Sequence, residues 1–222
     1  MKLLKIARWV FVFVIPLFII SGVIAFAFNF LPLYEYGFHR YQVSQTTGLA
    51  DSELTKAARG LISYFNSDEE FINVVVQKDG ADLQLFNERE VLHLKDVKAL
   101  VRLDYRIFVI SLACLAVGSV IQVLRRQVKL WAAPVFWGGA ITLALLILVT
   151  AVAASNFDAF FIRFHQLSFA NDFWLLDPTK DYLIMLFPGG FWQDASIFIA
   201  GLIGLFAAAV TFIGWKSLRT NA

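Results

Sequence analysis

The sequence predicts an α-helical membrane protein with four transmembrane helices and a small α+β extracellular cap between helices 1 and 2. Its 222 residues are 59% apolar and include 23 Phe, with a mean hydropathy of +0.69, which is too hydrophobic for a soluble domain of this length. Four runs without a charged residue each approach the ~20 residues that an α-helix needs to cross a bilayer. All 17 acidic residues lie outside these runs.

The four uncharged runs also divide the chain. Because lipid offers no partner to backbone N–H and C=O groups, each run is predicted to be helical. We therefore expect a first transmembrane helix in residues 1–34, an extracellular cap in residues 35–105, and transmembrane helices 2–4 in residues 106–222. An interfacial extracellular segment at about residues 156–194 separates helices 3 and 4. The runs are Trp9–Tyr34, Ile107–Leu124, Leu130–Phe157 and Ala195–Trp215.

The charged residues predict the orientation of the chain in a cell membrane. Every acidic residue lies in one of two segments, Glu35–Asp104 and Asp158–Asp194. Three other segments carry only basic residues, and cytoplasmic loops and termini are the ones enriched in Lys and Arg. Both termini are therefore predicted to be cytoplasmic, and no nucleic-acid partner is needed to explain the basic clusters. These clusters are Lys2, Lys5 and Arg8, then Arg125, Arg126 and Lys129, then Lys216 and Arg219.

The cap residues show local signals for helices and one hairpin. Asp51 or Ser52 is expected to cap a helix whose apolar residues recur at helical spacing up to Phe65. Two apolar or alternating stretches, residues 71–77 and 82–86, flank an Asp79-Gly80 turn signal and predict a β-hairpin.

A capping signal follows the predicted hairpin. Asn87, with Glu90 three residues later, forms a capping box, which predicts a helix over residues 88–94 that leads towards the second span. A Pro188-Gly189-Gly190 break predicts where the chain enters the fourth span.

Several kinds of chemistry are disfavoured by composition. One Cys, Cys114, and three His are too few ligands for the common zinc sites, so we expect no metal and no cofactor. Spans 2–4 contain no ionisable Asp, Glu, Lys, Arg or His, which argues against a proton-coupled or ion-coupled transporter. The G-x-S-x-G motif of common Ser hydrolases is also missing.

The stretch of residues 160–178 combines a histidine, aromatic residues and charges between two apolar runs. His165, Ser168 and Asp172 are spaced at i, i+3 and i+7, so they would share one face if this stretch were helical. Aromatic rings such as those of Phe164 and Trp174 favour the headgroup boundary of a bilayer. The stretch is predicted to form the floor of a site at the membrane surface.

A second histidine lies just outside a span on the same predicted side of the membrane. Asp96 follows His93 by three residues and could orient its imidazole. His93 and His165 could therefore form two halves of one interfacial site, whereas His39 has the character of an interfacial residue. Two neutral imidazoles can serve acyl transfer, one by accepting a proton and the other by donating one or stabilising developing charge.

Two motifs, HLKDVK at residues 93–98 and FHQLSFANDFWLLDP at residues 164–178, resemble those of the lipoprotein intramolecular transacylase family of low-GC Gram-positive bacteria. The likeness also includes the tyrosine-rich exit from the first span, LISYFN at residues 61–66, and the order of spans and cap. It extends along nearly the whole chain.

The resemblance implies a membrane acyltransferase whose partners are a diacylated lipoprotein and membrane lipid. Such enzymes move the sn-2 acyl chain of the diacylglyceryl group onto the α-amino group of the lipoprotein's N-terminal cysteine, giving a lyso-form lipoprotein without a cofactor. It implies His93 and His165 as the catalytic pair at the extracellular membrane surface. We expect Asp96, Asn171 and Asp172 to support or orient the pair, and Tyr36, Phe164 and Trp174 to line the substrate pocket.

The residues leave the roles of the histidines and the type of function open. His165 is the preferred base and His93 the preferred oxyanion stabiliser or acid, and the reverse assignment stays open. Two other functions compete with acyl transfer. One is a lipid hydrolase that uses Ser168, His165 and Asp172, and the other is a non-catalytic membrane scaffold whose cap binds a partner.

Overall fold

In a computed structural model, which describes residues 2–220 and the side chains of these except residues 2–8 and 128, four helices are long and apolar enough to cross a membrane. They are α1 (Lys2–Asn29), α5 (Glu88–Leu124), α6 (Ala132–Ser155) and α9 (Gly189–Arg219). The prediction of a four-helix membrane protein is confirmed. Lys2, Lys5 and Arg8, which contribute to the predicted orientation, lie outside the described side chains.

The chain divides into two compact units. The first unit contains the residues up to Ala25, Leu103–Ser155 and the residues from Phe198 on. Its core is a cluster of aliphatic side chains from α1 and α9, including Ile15, Ile19 and Ala207. Many apolar side chains of this unit remain exposed, Leu124 and Ile147 among them, as expected for surfaces that face lipid.

The second unit comprises Phe26–Arg102 and Asn156–Ile197 and contains every histidine of the chain. After α1 the chain forms α2 (Leu31–Arg40), α3 (Val43–Thr47) and α4 (Asp51–Asn66). Helix α4 buries one apolar stripe, as its spacing predicts. The predicted cap at Asp51 or Ser52 is wrong, because Ala50 holds the N-cap position without a side-chain bond and Asp51 is already helical.

The predicted hairpin is confirmed but is shorter than the apolar stretches suggested. Strands β1 (Val75–Lys78) and β2 (Ala81–Gln84) pair antiparallel with Lys78 opposite Ala81. The connecting residues Asp79 and Gly80 both have positive φ, 54° and 80°, which is the backbone of a two-residue type I′ turn.

Helix α5 starts with the predicted capping box and then runs much further than residue 94. The backbone N–H of Asn87 donates to the Glu90 carboxylate at 2.7 Å, and that of Glu90 donates to the Asn87 side chain at 3.1 Å. The helix continues unbroken for 37 residues. Its first part, up to Arg102, belongs to the second unit, and the uncharged part from Ile107 to Leu124 stays the predicted membrane span.

One face of α5 is fixed to the loop after α4 by basic side chains. Lys98 is buried, donates to the Glu69 carbonyl at 2.5 Å and lies over the Tyr64 ring. Lys95 pairs with Glu70 at 2.6 Å, and Arg102 donates to the Ser67 carbonyl. These residues, spaced at i, i+3 and i+7, leave another face of the helix for His93 and Asp96.

The segment between the third and fourth spans contains two short helices, α7 (Phe157–Ser168) and α8 (Tyr182–Leu186). Asn156 caps α7 by accepting a hydrogen bond from the Ala159 N–H. After α8, helix α9 begins directly after Pro188, where the sequence predicted a break. Gly37 of α2 leaves no room for a Cβ against the Phe191 ring, so the start of α9 lies close to α2.

Candidate active site

The structure brings the two predicted histidines together. His93 lies on the second turn of α5 and His165 on the last turn of α7, and their ring centroids are 6.0 Å apart. The two residues are only 6% and 7% exposed. Two imidazoles at this distance can both contact the reacting atoms of one substrate. A reaction between a nucleophile and an ester requires such an arrangement.

Aromatic rings surround His165 on several sides. The rings of Phe161, Phe164, Phe169 and Trp174 have centroids 4.3, 5.5, 5.6 and 5.0 Å from its own. Phe169 also contacts His93 edge-on at 5.2 Å. The predicted pocket residues Phe164 and Trp174 therefore lie beside His165, whose own ring is buried among aromatic side chains.

His165 has a defined tautomer. Its Nδ1 lies 2.8 Å from the carbonyl oxygen of Phe161, one turn earlier on α7. A carbonyl can only accept, so Nδ1 must carry the proton and donate it, which leaves a lone pair on Nε2. Burial lowers the pKa of His165, although the Phe161 carbonyl acts in the opposite direction. The ring is thus neutral near neutral pH, with Nε2 ready to accept a proton.

The environment of His93 is different. Burial and the neighbouring His165 lower the pKa of His93 to about 4, while Asp96 acts weakly in the opposite direction. Its Nδ1 is buried and has no hydrogen-bond partner in the described part of the chain. A buried polar atom without a partner is uncommon, and this one belongs to a ring whose centroid lies 6.0 Å from that of a second imidazole.

Asp96 bonds to Asn171 and not to His93. The Asn171 amide donates to the Asp96 carboxylate at 2.8 Å, and its oxygen accepts the N–H of Phe173 at 3.1 Å. This amide therefore joins α5, which carries His93, to the loop that follows His165. The sequence suggested both residues as supporting groups but gave no sign that they bond to each other.

The predicted shared face of His165, Ser168 and Asp172 does not form. Helix α7 ends at Ser168, and Phe169 has extended backbone angles. The Asn171 side chain bonds to the N–H two residues on, a local turn that competes with helix. Neither the Ser168 hydroxyl nor the Asp172 carboxylate bonds to His165 within residues 2–220.

Tyr36 lies in a separate contact. Its hydroxyl donates to the Asp194 carboxylate at 3.1 Å, and the Tyr41 hydroxyl donates to the same oxygen at 2.7 Å. Its side chain is 49% exposed, and none of its described contacts is with either histidine. The structure therefore gives Tyr36 a role in holding α2 to the first turns of α9, and its place in the pocket stays a prediction.

Two buried acidic residues, Glu90 and Asp181, make tertiary hydrogen bonds that the sequence did not predict. Glu90 is 1% exposed, and besides its capping bond it accepts the Leu183 N–H at 2.6 Å. Asp181 accepts from the Asn87 amide at 2.8 Å and from the Asp177 N–H at 2.7 Å. These bonds fix the start of α5 to the segment after Trp174. The capping box revealed the local role of Glu90, but its bond to Leu183 depends on tertiary structure.

No group of three or more His, Cys, Asp or Glu that could hold a metal ion occurs in the described part of the chain. The arrangement instead offers two neutral imidazoles, one with its proton position fixed and one with an unpartnered ring nitrogen. Such a pair can accept a proton from a nucleophile and donate a hydrogen bond or proton to an oxygen.

Comparison with solved structures shows the fold. The membrane integral lipoprotein intramolecular transacylase Lit from Bacillus cereus matches with a TM-score of 0.83 and 19% identity, covering 99% of this chain and 98% of that one. The same protein with one histidine replaced by alanine matches with a TM-score of 0.77 and 18% identity, covering 99% and 96% of the two chains.

Sequence comparison identifies the family. A protein of Aquifex aeolicus strain VF5, described only as uncharacterized, is 28% identical over 139 residues. That match covers 58% of this chain and 56% of the relative, a little over half of its length. The sequence model of lipoprotein intramolecular transacylase Lit matches residues 9–192, which include both histidines and every predicted site residue. This chain belongs to the lipoprotein intramolecular transacylase family.

Proposed function

We propose that this protein moves the sn-2 acyl chain of a diacylglyceryl lipoprotein onto the α-amino group of the same lipoprotein's N-terminal cysteine. The product is a lyso-form lipoprotein with an amide-linked chain and a free sn-2 hydroxyl. The observation that carries the proposal is the buried, neutral His93–His165 pair within aromatic walls, in a chain of the transacylase family. The reaction needs no cofactor, because it exchanges one acyl bond for another.

His165 is the base in this mechanism. The Phe161 carbonyl holds its proton on Nδ1, so Nε2 can accept a proton from the substrate's α-ammonium. An α-amino group has a pKa of about 7.7 to 8.0, so only a modest driving force is needed. The free amine then attacks the ester carbonyl, and the new C–N bond replaces the broken C–O bond. His165 thus takes the role that the sequence slightly favoured for it.

His93 acts on the oxygen side of the reaction. Its low pKa keeps it neutral, so it contributes one N–H and not a full positive charge. That N–H can stabilise the oxyanion of the tetrahedral intermediate. The proton that His165 has taken from the amine then passes to the departing glyceryl oxygen, so neither imidazole has to become an anion. The unpartnered ring nitrogen of His93 can take up a hydrogen bond with a bound substrate.

The larger contribution comes from positioning. The amine and the ester belong to one molecule, and holding them in contact within a confined aromatic site removes much of the entropic barrier. The rings of Phe161, Phe169 and Trp174 provide such walls around His165. The same apolar surface keeps water from competing with the amine for the ester.

Fragmentation mass spectrometry of a lipoprotein N-terminus tests this function. Intramolecular transfer leaves the atom count unchanged, so substrate and product have the same mass and differ only in where the chain is attached. We expect cells with the protein to contain peptides with an amide-linked chain and a free sn-2 hydroxyl, and cells without it to contain only the diester. Loss of one whole acyl chain would instead indicate a hydrolase, and an unchanged diester would indicate a scaffold.

Replacement of Ser168 by alanine separates direct transfer from an acyl-enzyme mechanism. His165 makes no bond to Ser168, and its Nδ1 is bound to a backbone carbonyl and not to a carboxylate as in a Ser-His-Asp triad. We expect Ser168→Ala to keep its activity within about tenfold of the wild type, the effect of one hydrogen bond. Activity as low as in His165→Ala, with an acylated Ser168 trapped in the wild type, would show a covalent mechanism instead.

We propose the orientation that the charges predict, with both termini in the cytoplasm and the histidine pair at the extracellular surface of the cell membrane. The support is the confinement of all 17 acidic residues to the two segments of the chain that contain the pair. A reporter fused after Lys129 should report the cytoplasm, and one inserted at the exposed hairpin turn near Asp79 should report the outside. The opposite pattern would contradict this orientation.

A further inference from the structure

A groove of about 470 Å³ opens beside His165. One wall is the face of α7 that carries Ile162 and Gln166, and the other is the loop of residues 169–175. Phe169 and Trp174 line the groove and also contact the His165 ring at 5.6 and 5.0 Å. A molecule in the groove therefore shares two aromatic walls with the base.

Asp172 is the one formally charged residue that lines this groove. Its backbone carbonyl accepts a hydrogen bond from Arg89 at 2.7 Å, which fixes the loop. Its carboxylate, in contrast, makes no hydrogen bond or ion pair within residues 2–220, and the residue is exposed to solvent. A carboxylate that lines a groove beside His165 and makes no bond within the protein is open to a cationic group of a ligand.

We propose that Asp172 binds the α-ammonium group of the lipoprotein substrate and so selects chains whose N-terminal cysteine is not yet acylated. This inference rests on the proposed function and deepens it. At neutral pH the free α-amino group is mostly protonated and positively charged, as its ordinary pKa of about 7.7 to 8.0 implies. The aromatic side chain of Trp174 lines the same groove, and aromatic rings can attract a nearby cation.

The same contact explains how the product leaves. The ammonium group has three protons: one stays on the amide nitrogen, one goes to the glyceryl oxygen when the ester C–O bond breaks, and one is released to solvent. The product amide is neutral, so the charge that Asp172 binds disappears in the reaction. Acyl transfer thus removes the feature by which the substrate is recognised.

Binding measurements with two lipopeptides test the inference. One probe is a diacylglyceryl-cysteine peptide with a free N-terminus, and the other is its N-acetyl analogue. Binding is measured in the His165→Ala background, so that turnover does not interfere. We expect the free-amine peptide to bind about tenfold or more tightly than the acetylated one, as for a charge-assisted hydrogen bond. We expect Asp172→Asn to remove this preference, because it keeps the shape and removes the charge.

Two further variants make the result specific. Asp158→Asn removes the same charge from an exposed position on α7 away from the groove and should keep the preference. Asp172→Glu keeps the charge and should keep most of the preference, which a purely structural role of Asp172 would not predict. Thermal unfolding of each variant checks that the second unit is folded.

The outcomes separate the inference from the function. Conversion of the free-amine peptide by the wild type, with an unchanged amine preference in Asp172→Asn, would overturn the inference and leave the proposed function intact. No conversion by the wild type would overturn the proposed function and the inference with it.

Discussion

Replacement of either His93 or His165 by alanine is expected to reduce formation of lyso-form product by at least about a hundredfold, the usual contribution of a general acid or base. His165→Ala removes the Nε2 lone pair that accepts the amine proton, and His93→Ala removes the donor on the oxygen side. Because both act on one tetrahedral intermediate, the double variant should be little worse than the worse single variant. Conversion of a diacyl lipopeptide in detergent or liposomes measures each effect.

The chain offers a matched control for this prediction. His39 is its third histidine and lies exposed near the end of α2, with no described contact to the pair. His39→Ala should keep wild-type activity. Full activity in a folded His93→Ala or His165→Ala protein would remove that residue from the mechanism.

A second large effect is expected when Asn171 is replaced by aspartate. The Asn171 amide donates to Asp96 at 2.8 Å, so Asn171→Asp places two carboxylates in contact at this position. Repulsion between like charges at ~4 Å is about 1 kcal/mol in water and about 4 kcal/mol at the effective dielectric of a protein surface. The loop that carries Trp174 should move from α5, and activity should fall by about tenfold to a hundredfold.

An exchange of the two side chains should restore the bond. In the double variant Asp96→Asn with Asn171→Asp, the amide at residue 96 donates to the carboxylate at residue 171, which still accepts the Phe173 N–H. We expect recovery of most of the activity in the double variant, whereas Asp96→Asn alone should be mild because its amide oxygen still accepts. A double variant as inactive as Asn171→Asp would show that Asp96 acts through its own charge and not through this bond.

The features that the sequence predicted well depend on neighbouring residues. The Asp79-Gly80 turn, the Asn87–Glu90 capping box and the break at Pro188 are each determined by a few adjacent side chains. The spans are similarly determined by the length of an uncharged run. Such signals need no knowledge of the tertiary structure, which explains why the fold class could be read from the residues alone.

The features that could not be predicted join distant parts of the chain or depend on competing local bonds. Helical spacing placed Asp172 on one face with His165, but the Asn171 turn ends that pattern after Ser168. The bond from the Leu183 N–H to Glu90 joins residues 93 positions apart. The partner of the His165 Nδ1 is a backbone carbonyl, for which no side-chain motif exists.

The unpartnered Nδ1 of His93 has a consequence for the stability of the protein. A buried polar atom without a hydrogen bond lowers the free energy of unfolding by about 1 to 3 kcal/mol. Natural proteins are only marginally stable, so this loss is a substantial fraction of their total free energy of unfolding. An apolar residue of similar size at position 93 would make the protein more resistant to heat but inactive. We therefore expect a bound substrate that forms a hydrogen bond with His93 to raise the stability of the protein, which thermal unfolding with and without a diacyl lipopeptide would measure.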